Sequence, residues 1–224
     1  MVCMRLDLAD ELLLLVYDDG GAPQAGKQAV EYGLAGALLL ELMLAGRLAV
    51  PDQRVVVTDP SPTGDPLTDQ ALARIAADRR GRKPKDWIDP LSSGLRDRAL
   101  DRLVQAGLLR READRVLWVF PRTRFPSASG SEPLPEGETR RRLLAAVDAT
   151  GPVDQRTAAL CALVRAIGIE RLAVPDRPKR QVQDRFQVIV PASWPADAVR
   201  KAITESEAAA AAMSAAPSTV IITS

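Results

Sequence analysis

Residues 32–45 decide the fold: Tyr32-Gly33-Leu34-Ala35-Gly36-Ala37-Leu38-Leu39-Leu40-Glu41-Leu42-Met43-Leu44-Ala45. Leucine, alanine and methionine favour helix, and the apolar residues leave no polar stripe, so the segment reads as a buried central helix. Gly46 closes it. The longest apolar stretch, Leu34–Ala45, is well short of the ~20 residues that cross a bilayer, and Glu41 interrupts it. An unpaired carboxylate inside such a helix would be costly. Glu41 is therefore expected to pair with an arginine of a neighbouring helix, Arg98 or Arg102.

Working outward, residues 6–16 form a short apolar helix that ends at Asp18-Asp19-Gly20-Gly21. Arg54–Thr58 has the β-branched run of a strand between prolines. Asp65-Pro66 caps and opens a helix to about Ala77. Arg79–Lys85 is a basic linker, and Leu95–Ala106 is an amphipathic helix stopped by Gly107. Val116–Phe120 and Arg122–Phe125 pair as a hairpin. Residues 127–137 read as a loop, Thr139–Val147 as a helix, and Asp154–Ile167 as another, ended by Gly168. Residues 174–194 look irregular, with a strand at Phe186–Val190. A last helix begins at Pro195 and runs into an alanine-rich end. The expected architecture is mostly α: a single multihelical domain over residues 1–214 around the central helix, with a protruding apolar β-hairpin and a flexible tail at 215–224.

With 224 residues, 46% of them hydrophobic and 26% charged, the chain can bury a core without staples. Its 30 basic and 29 acidic side chains nearly cancel, so any polyanion site must be a local patch. Histidine is absent, which removes Ser-His-Asp and Cys-His catalysis and histidine-bound zinc or haem. Cys3 and Cys161 suit a reducing compartment. No export signal is legible at the start of the chain. A cytoplasmic, peripherally membrane-associated protein is expected. The preference for alanine, and for arginine over lysine, suggests a GC-rich bacterial genome.

Gly21–Lys27 matches the spacing GxxxxGK of a phosphate loop, but Gln28 stands where a magnesium-holding hydroxyl belongs and Asp18-Asp19 precede it. A simple turn is the better reading. With no cofactor loop, metal set or paired catalytic carboxylates, the chain reads as a non-enzyme without cofactors. The informative segment is Arg110–Arg124, which sets five arginines against Glu112 and Asp114 and holds Leu117-Trp118-Val119-Phe120. Large apolar side chains ringed by guanidinium suit an anionic phospholipid surface, at ~1 kcal/mol for each arginine near it. The same residues suit a homo-oligomer or partner interface, or the protein's own core. Leu95–Arg124 also has the rhythm of a winged helix. Asp97, Asp101 and the apolar hairpin speak against nucleic acid.

The stretch Gly33-Leu34-Ala35-Gly36-Ala37-Leu38-Leu39-Leu40-Glu41-Leu42 with Gly46-Arg47-Leu48 resembles the central helix of the Golgi phosphoprotein 3 family. So do Ser61-Pro62-Thr63-Gly64-Asp65, Asp86-Trp87-Ile88, and Arg96-Asp97-Arg98 running to Leu103-Val104-Gln105-Ala106-Gly107-Leu108-Leu109. Order and spacing match over roughly residues 6–170. The resemblance implies a helical domain with a protruding hairpin and a peripheral membrane role. Eukaryotic members bind phosphatidylinositol 4-phosphate and act as adaptors that retain Golgi glycosyltransferases by their cytosolic tails. With a bacterial source that transport role would not carry over.

The family's headgroup tryptophan falls at Gly26, its first arginine at Ala35 and a further basic residue at Ser93; Arg96 alone is kept. Alanine and serine cannot replace a bidentate guanidinium, which speaks against specific recognition of that lipid. Lys27, Arg98, Arg122 and Arg124 are the candidates for a different anion site beside Arg96. Leu117, Trp118, Val119 and Phe120 are the candidates for membrane insertion or oligomerisation, and membrane-protein tails are the expected clients.

Overall fold

In the computed structural model, residues 6–116, 120–131 and 133–190 are described, with the isolated positions 201 and 204. Helix α1 (Leu8–Val16) and helix α2 (Lys27–Leu44) lie against each other at the centre. α3 (Pro66–Ala76), α4 (Lys85–Ser92) and α5 (Leu95–Gln105) pack on one side of α2, and α7 (Gln155–Ala166) packs on another. α6 (Leu134–Asp148), α8 (Glu170–Ala173) and α9 (Lys179–Ile189) complete the shell. The buried side chains form one hydrophobic cluster, to which α1 contributes every residue from Leu12 to Val16. This is the mostly α, single-domain architecture expected from the sequence.

Two small antiparallel sheets interrupt the helices: β1 (Leu48–Ala49) with β2 (Val56–Val57), and β3 (Glu112–Val116) with β4 (Phe120–Arg124). Arg54–Thr58 therefore yields only a two-residue strand. The strand expected at Phe186–Val190 is instead the end of α9, because Val182 and Phe186, one turn apart, bury together against the core. α4 lies just past the basic linker, where the sequence assigns no element, and the first turn of α6 lies where it reads as loop. Pro90 sits inside α4, and Pro133 with Pro135 at the start of α6 punctuates the pattern. Pro135 is nevertheless well placed, since the first-turn amides have no helical acceptor anyway. Asp65 and Asp154 cap as expected, accepting from Thr68 N and Thr157 N at 2.8 and 2.9 Å. The helix expected from Pro195 lies outside the described residues, apart from Lys201 and Thr204, and so does the tail.

Glu41 corrects an expectation. Its carboxylate meets Arg156 of α7, at 3.0 and 3.1 Å, and neither Arg98 nor Arg102. It also accepts the amide of Leu8 at 3.0 Å, so a side chain of α2 caps the first turn of α1. Glu11 of α1 joins the same cluster through Arg156, at 3.5 Å, and also accepts from Arg142 of α6 at 2.7 Å.

Arg102 is held elsewhere. Its guanidinium donates to Asp10 at 2.6 and 3.0 Å, lies 2.8 Å from Asp7 and reaches Asp65 at 2.5 Å. Three carboxylates share one cation in a buried seam between α1, α3 and α5. Burial and the charge of Asp7 outweigh Arg102 and push the Asp10 carboxyl up to about 7; burial raises Asp7 as well. The native seam thus keeps a proton that the unfolded chain releases near 3.8. The sign follows from linkage: stability is lost as pH rises from the unfolded value through about 7, and recovered on acidification. Asp59, Asp69, Asp148 and Asp154, all lowered, oppose this only below their ordinary range. Thermal melts are expected to give a higher Tm near pH 5.5 than near pH 8, and Asp10→Asn should flatten that slope. A Tm that climbs steadily toward pH 8 in the wild type would contradict the raised carboxyl.

Candidate lipid-facing site

The hairpin is joined to the helical body at its root. Pairing runs from Glu112 opposite Arg124 to Val116 opposite Phe120, so residues 117–119 link the strands. This moves the first strand toward the N-terminus relative to the sequence reading. Leu117, Trp118 and Val119 belong to the connection, outside the described residues, and Phe120 opens β4. Below the strands, Leu109 bridges Ser127, and the Arg110 amide donates to Pro126 O at 2.9 Å. Phe125 N donates to Gly21 O at 2.9 Å, which fastens the root to the turn after α1. Phe125 is buried and meets the Tyr17 ring edge-on, with centroids 6.0 Å apart.

Arginines surround this aromatic pair. Arg96 donates from Nε and Nη2 to the Tyr17 hydroxyl at 3.0 and 2.8 Å, and its guanidinium lies over the ring. Burial holds the Tyr17 phenol above its usual value, so the oxygen stays a neutral acceptor. Arg111 covers the Phe125 ring at 5.5 Å and pairs with Asp101. Arg110 pairs with Glu112 at 2.7 Å. Both ion pairs have half-exposed side chains, and such surface pairs contribute ~0–1 kcal/mol, so the carboxylates hold these guanidiniums only weakly.

The predicted headgroup residues do not converge as one set. Arg96 and Arg98, two positions apart on α5, point to opposite sides: Arg96 to α1, Arg98 to Gln70 of α3. Lys27 is exposed at the start of α2 and pairs with Glu31 at 3.8 Å. Arg124 belongs to the hairpin root, beside Gly20. Arg122 lies on β4, its side chain outside the described set. Of the positions that differ from the family pattern, Gly26 is the residue before α2, Ala35 is buried in α2, and Ser93 ends α4. The phosphate-loop spacing at Gly21–Lys27 is a turn filled by its own carboxylate, since Asp18 accepts from Ala22 N and Gln24 Nε2 at 2.8 and 2.6 Å. The winged-helix reading loses part of its basic face, because Arg102 is buried in the carboxylate seam and Arg96 turns toward α1.

A second basic feature escaped the sequence reading. Leu38 of α2, Leu67 and Ala71 of α3, and Leu91 of α4 line a cavity of about 240 Å³. Gln70, Arg74, Ser93 and Arg98 surround its mouth. The signal was a basic residue on each of two helices, Arg74 and Arg98, and only packing brings them to one opening. Tyr17 was likewise overlooked, being one aromatic at the end of an apolar run.

Among the described residues, no helix is long and apolar enough to cross a membrane. The thiol of Cys161 is buried and pushed up to about 12, which makes it unreactive. The chain resembles vacuolar protein sorting-associated protein 74 of the fungus Eremothecium gossypii, with 31% identity over 135 aligned residues that cover 48% of this chain. The match spans 40% of that relative's length. A fungal relative lends no support to the bacterial source read from composition, and the objection to a Golgi role that rested on it loses its premise. The family model described as Golgi phosphoprotein 3 (GPP34) matches residues 8–206, covering the helical body and the hairpin together, and the chain belongs to that family.

Proposed function

We propose that this chain is a non-enzymatic peripheral membrane protein that binds anionic phospholipid surfaces through its hairpin and serves as an adaptor for membrane-protein tails. It works at the cytoplasmic face, as one domain over residues 1–214 with a flexible tail at 215–224. Its family supports the membrane role. The carrying observation is the hairpin register, which ties Leu117-Trp118-Val119 to the turn between two strands whose root is braced by Arg96, Arg110, Arg111 and Arg124. Among the described residues, β3 and β4 pair chiefly with each other. Aromatic rings at the turn enter the headgroup region while guanidiniums hold phosphates. A phosphoinositide-type headgroup is the expected family ligand, read here by Arg96 without the partners missing at Gly26, Ala35 and Ser93.

Co-sedimentation with phosphatidylglycerol-containing vesicles tests the anchor. The double variant Trp118→Ala, Phe120→Ala should lose most of the bound fraction; equal sedimentation of variant and wild type would exclude the hairpin. A second reading rests on the sheet itself. A two-stranded sheet has both edges unpaired, and such edges invite another strand. If the hairpin serves a homo-oligomer instead, the double variant lowers the mass in light scattering while neither form binds vesicles.

A further inference from the structure

We infer that the cavity between α2, α3, α4 and α5 is a binding site for a phosphate monoester, gripped by Arg74 and Arg98. The argument begins with how these two guanidiniums are held. Arg98 donates from Nε to Gly94 O and from Nη2 to Ser93 O, both at 3.3 Å, and from Nη1 to the Gln70 amide oxygen. Arg74 donates from Nη1 to Pro90 O at 2.6 Å. Every one of these acceptors is neutral. Among the described residues neither arginine has a carboxylate partner, unlike Arg47, Arg102, Arg140, Arg142, Arg156 and Arg177. The forks are therefore oriented while two positive charges remain uncompensated at one opening, whose lining contains no acid.

That arrangement selects the ligand's chemistry. One guanidinium fork saturates the two oxygens of a carboxylate, which would leave the second arginine unanswered. A phosphate monoester has three terminal oxygens and carries about −1.5 to −2 charge near pH 7, enough for both forks. The about 240 Å³ behind the mouth holds far more than one water, and the buried Leu38, Ala71 and Leu91 would receive the less polar part of the ligand. A phosphatidylglycerol-type diester offers two free oxygens and one charge, and fits less well. The site is separate from the hairpin anchor, and neither depends on the other.

The test uses the full chain and two phosphate sources. Calorimetry with glycerol 3-phosphate probes a soluble monoester. Vesicles containing phosphatidic acid, compared with phosphatidylglycerol vesicles of matched surface potential, probe a lipid monoester. Arg74→Gln and Arg98→Gln should each weaken monoester binding by roughly tenfold, the loss of a charge-assisted contact. Arg74→Gln breaks only one bond to a carbonyl, so an unchanged melting curve in that variant separates binding from folding. Loss of glycerol 3-phosphate binding supports the site with soluble esters as sufficient ligands. A preference for phosphatidic acid that disappears in both variants supports a lipid source. No soluble binding together with equal retention on both vesicles, or an equal loss on both, overturns the proposal. The Trp118→Ala, Phe120→Ala protein should keep its glycerol 3-phosphate binding, so failure of the anchor and failure of the cavity are read separately.

Discussion

Arg102→Met should destabilise the protein by about 3–5 kcal/mol, the usual cost of stranding buried carboxylates without their cation. Arg102 holds Asp7 and Asp10 at the cap and first turn of α1 and Asp65 at the cap of α3, so its loss frees three acids on two helices at once. For a chain of this size the loss corresponds to about 10 °C in Tm, readable by differential scanning calorimetry. Most of the cost comes from the acids left behind, not from the pair itself. In an Asp7→Asn, Asp10→Asn background the same substitution is therefore expected to cost far less, and the cycle should show strong coupling. The variant should also recover part of its Tm below about pH 6, where the raised carboxyls take up protons. A drop of the same size in both backgrounds would place the effect in lost packing of the arginine stem.

The second large effect is Gly21→Ala. Gly21 sits at φ +74, and a Cβ there would come within 2.2 Å of Pro126 N and 2.4 Å of Phe125 C. The conformational cost of a left-handed alanine is about 1–3 kcal/mol, and the backbone clash adds to it because neither neighbour is a flexible side chain. Gly130→Ala is the matched control, since its φ of +75 is nearly the same and nothing lies within 4 Å of the new carbon. The two variants should therefore differ by the clash alone. Only Gly21→Ala should lift the root from the turn, speed amide exchange at Phe125 and lower vesicle binding. Equal behaviour of the two would mean that the root is not clamped at that contact.

These two positions mark where reading the chain stops. The central helix was legible because its composition admits no solvent-facing stripe, and Asp65 and Asp154 because a capping side chain acts within three residues of itself. α9 was misread: Phe186-Gln187-Val188-Ile189-Val190 is β-branched and aromatic, and burial of Val182 and Phe186 on one helical face overrode that propensity. α4 was missed because Pro90 breaks its pattern, although the helix tolerates it. Pairing was the hardest inference. Glu41 was rightly expected to need an arginine, but Arg156, more than a hundred residues away, supplied it.

By itself the amino-acid order determined the central helix and most of the helices around it, that they bury one core, and that apolar side chains and arginines share a hairpin. Those outcomes depend on neighbours a few residues apart, whose spacing is written in the chain. Which guanidinium answers which carboxylate, which arginines stay unanswered, and how Gly21 receives the hairpin root were decided by tertiary packing. Charge and contact act through space over a few ångströms, and only the folded body sets those separations.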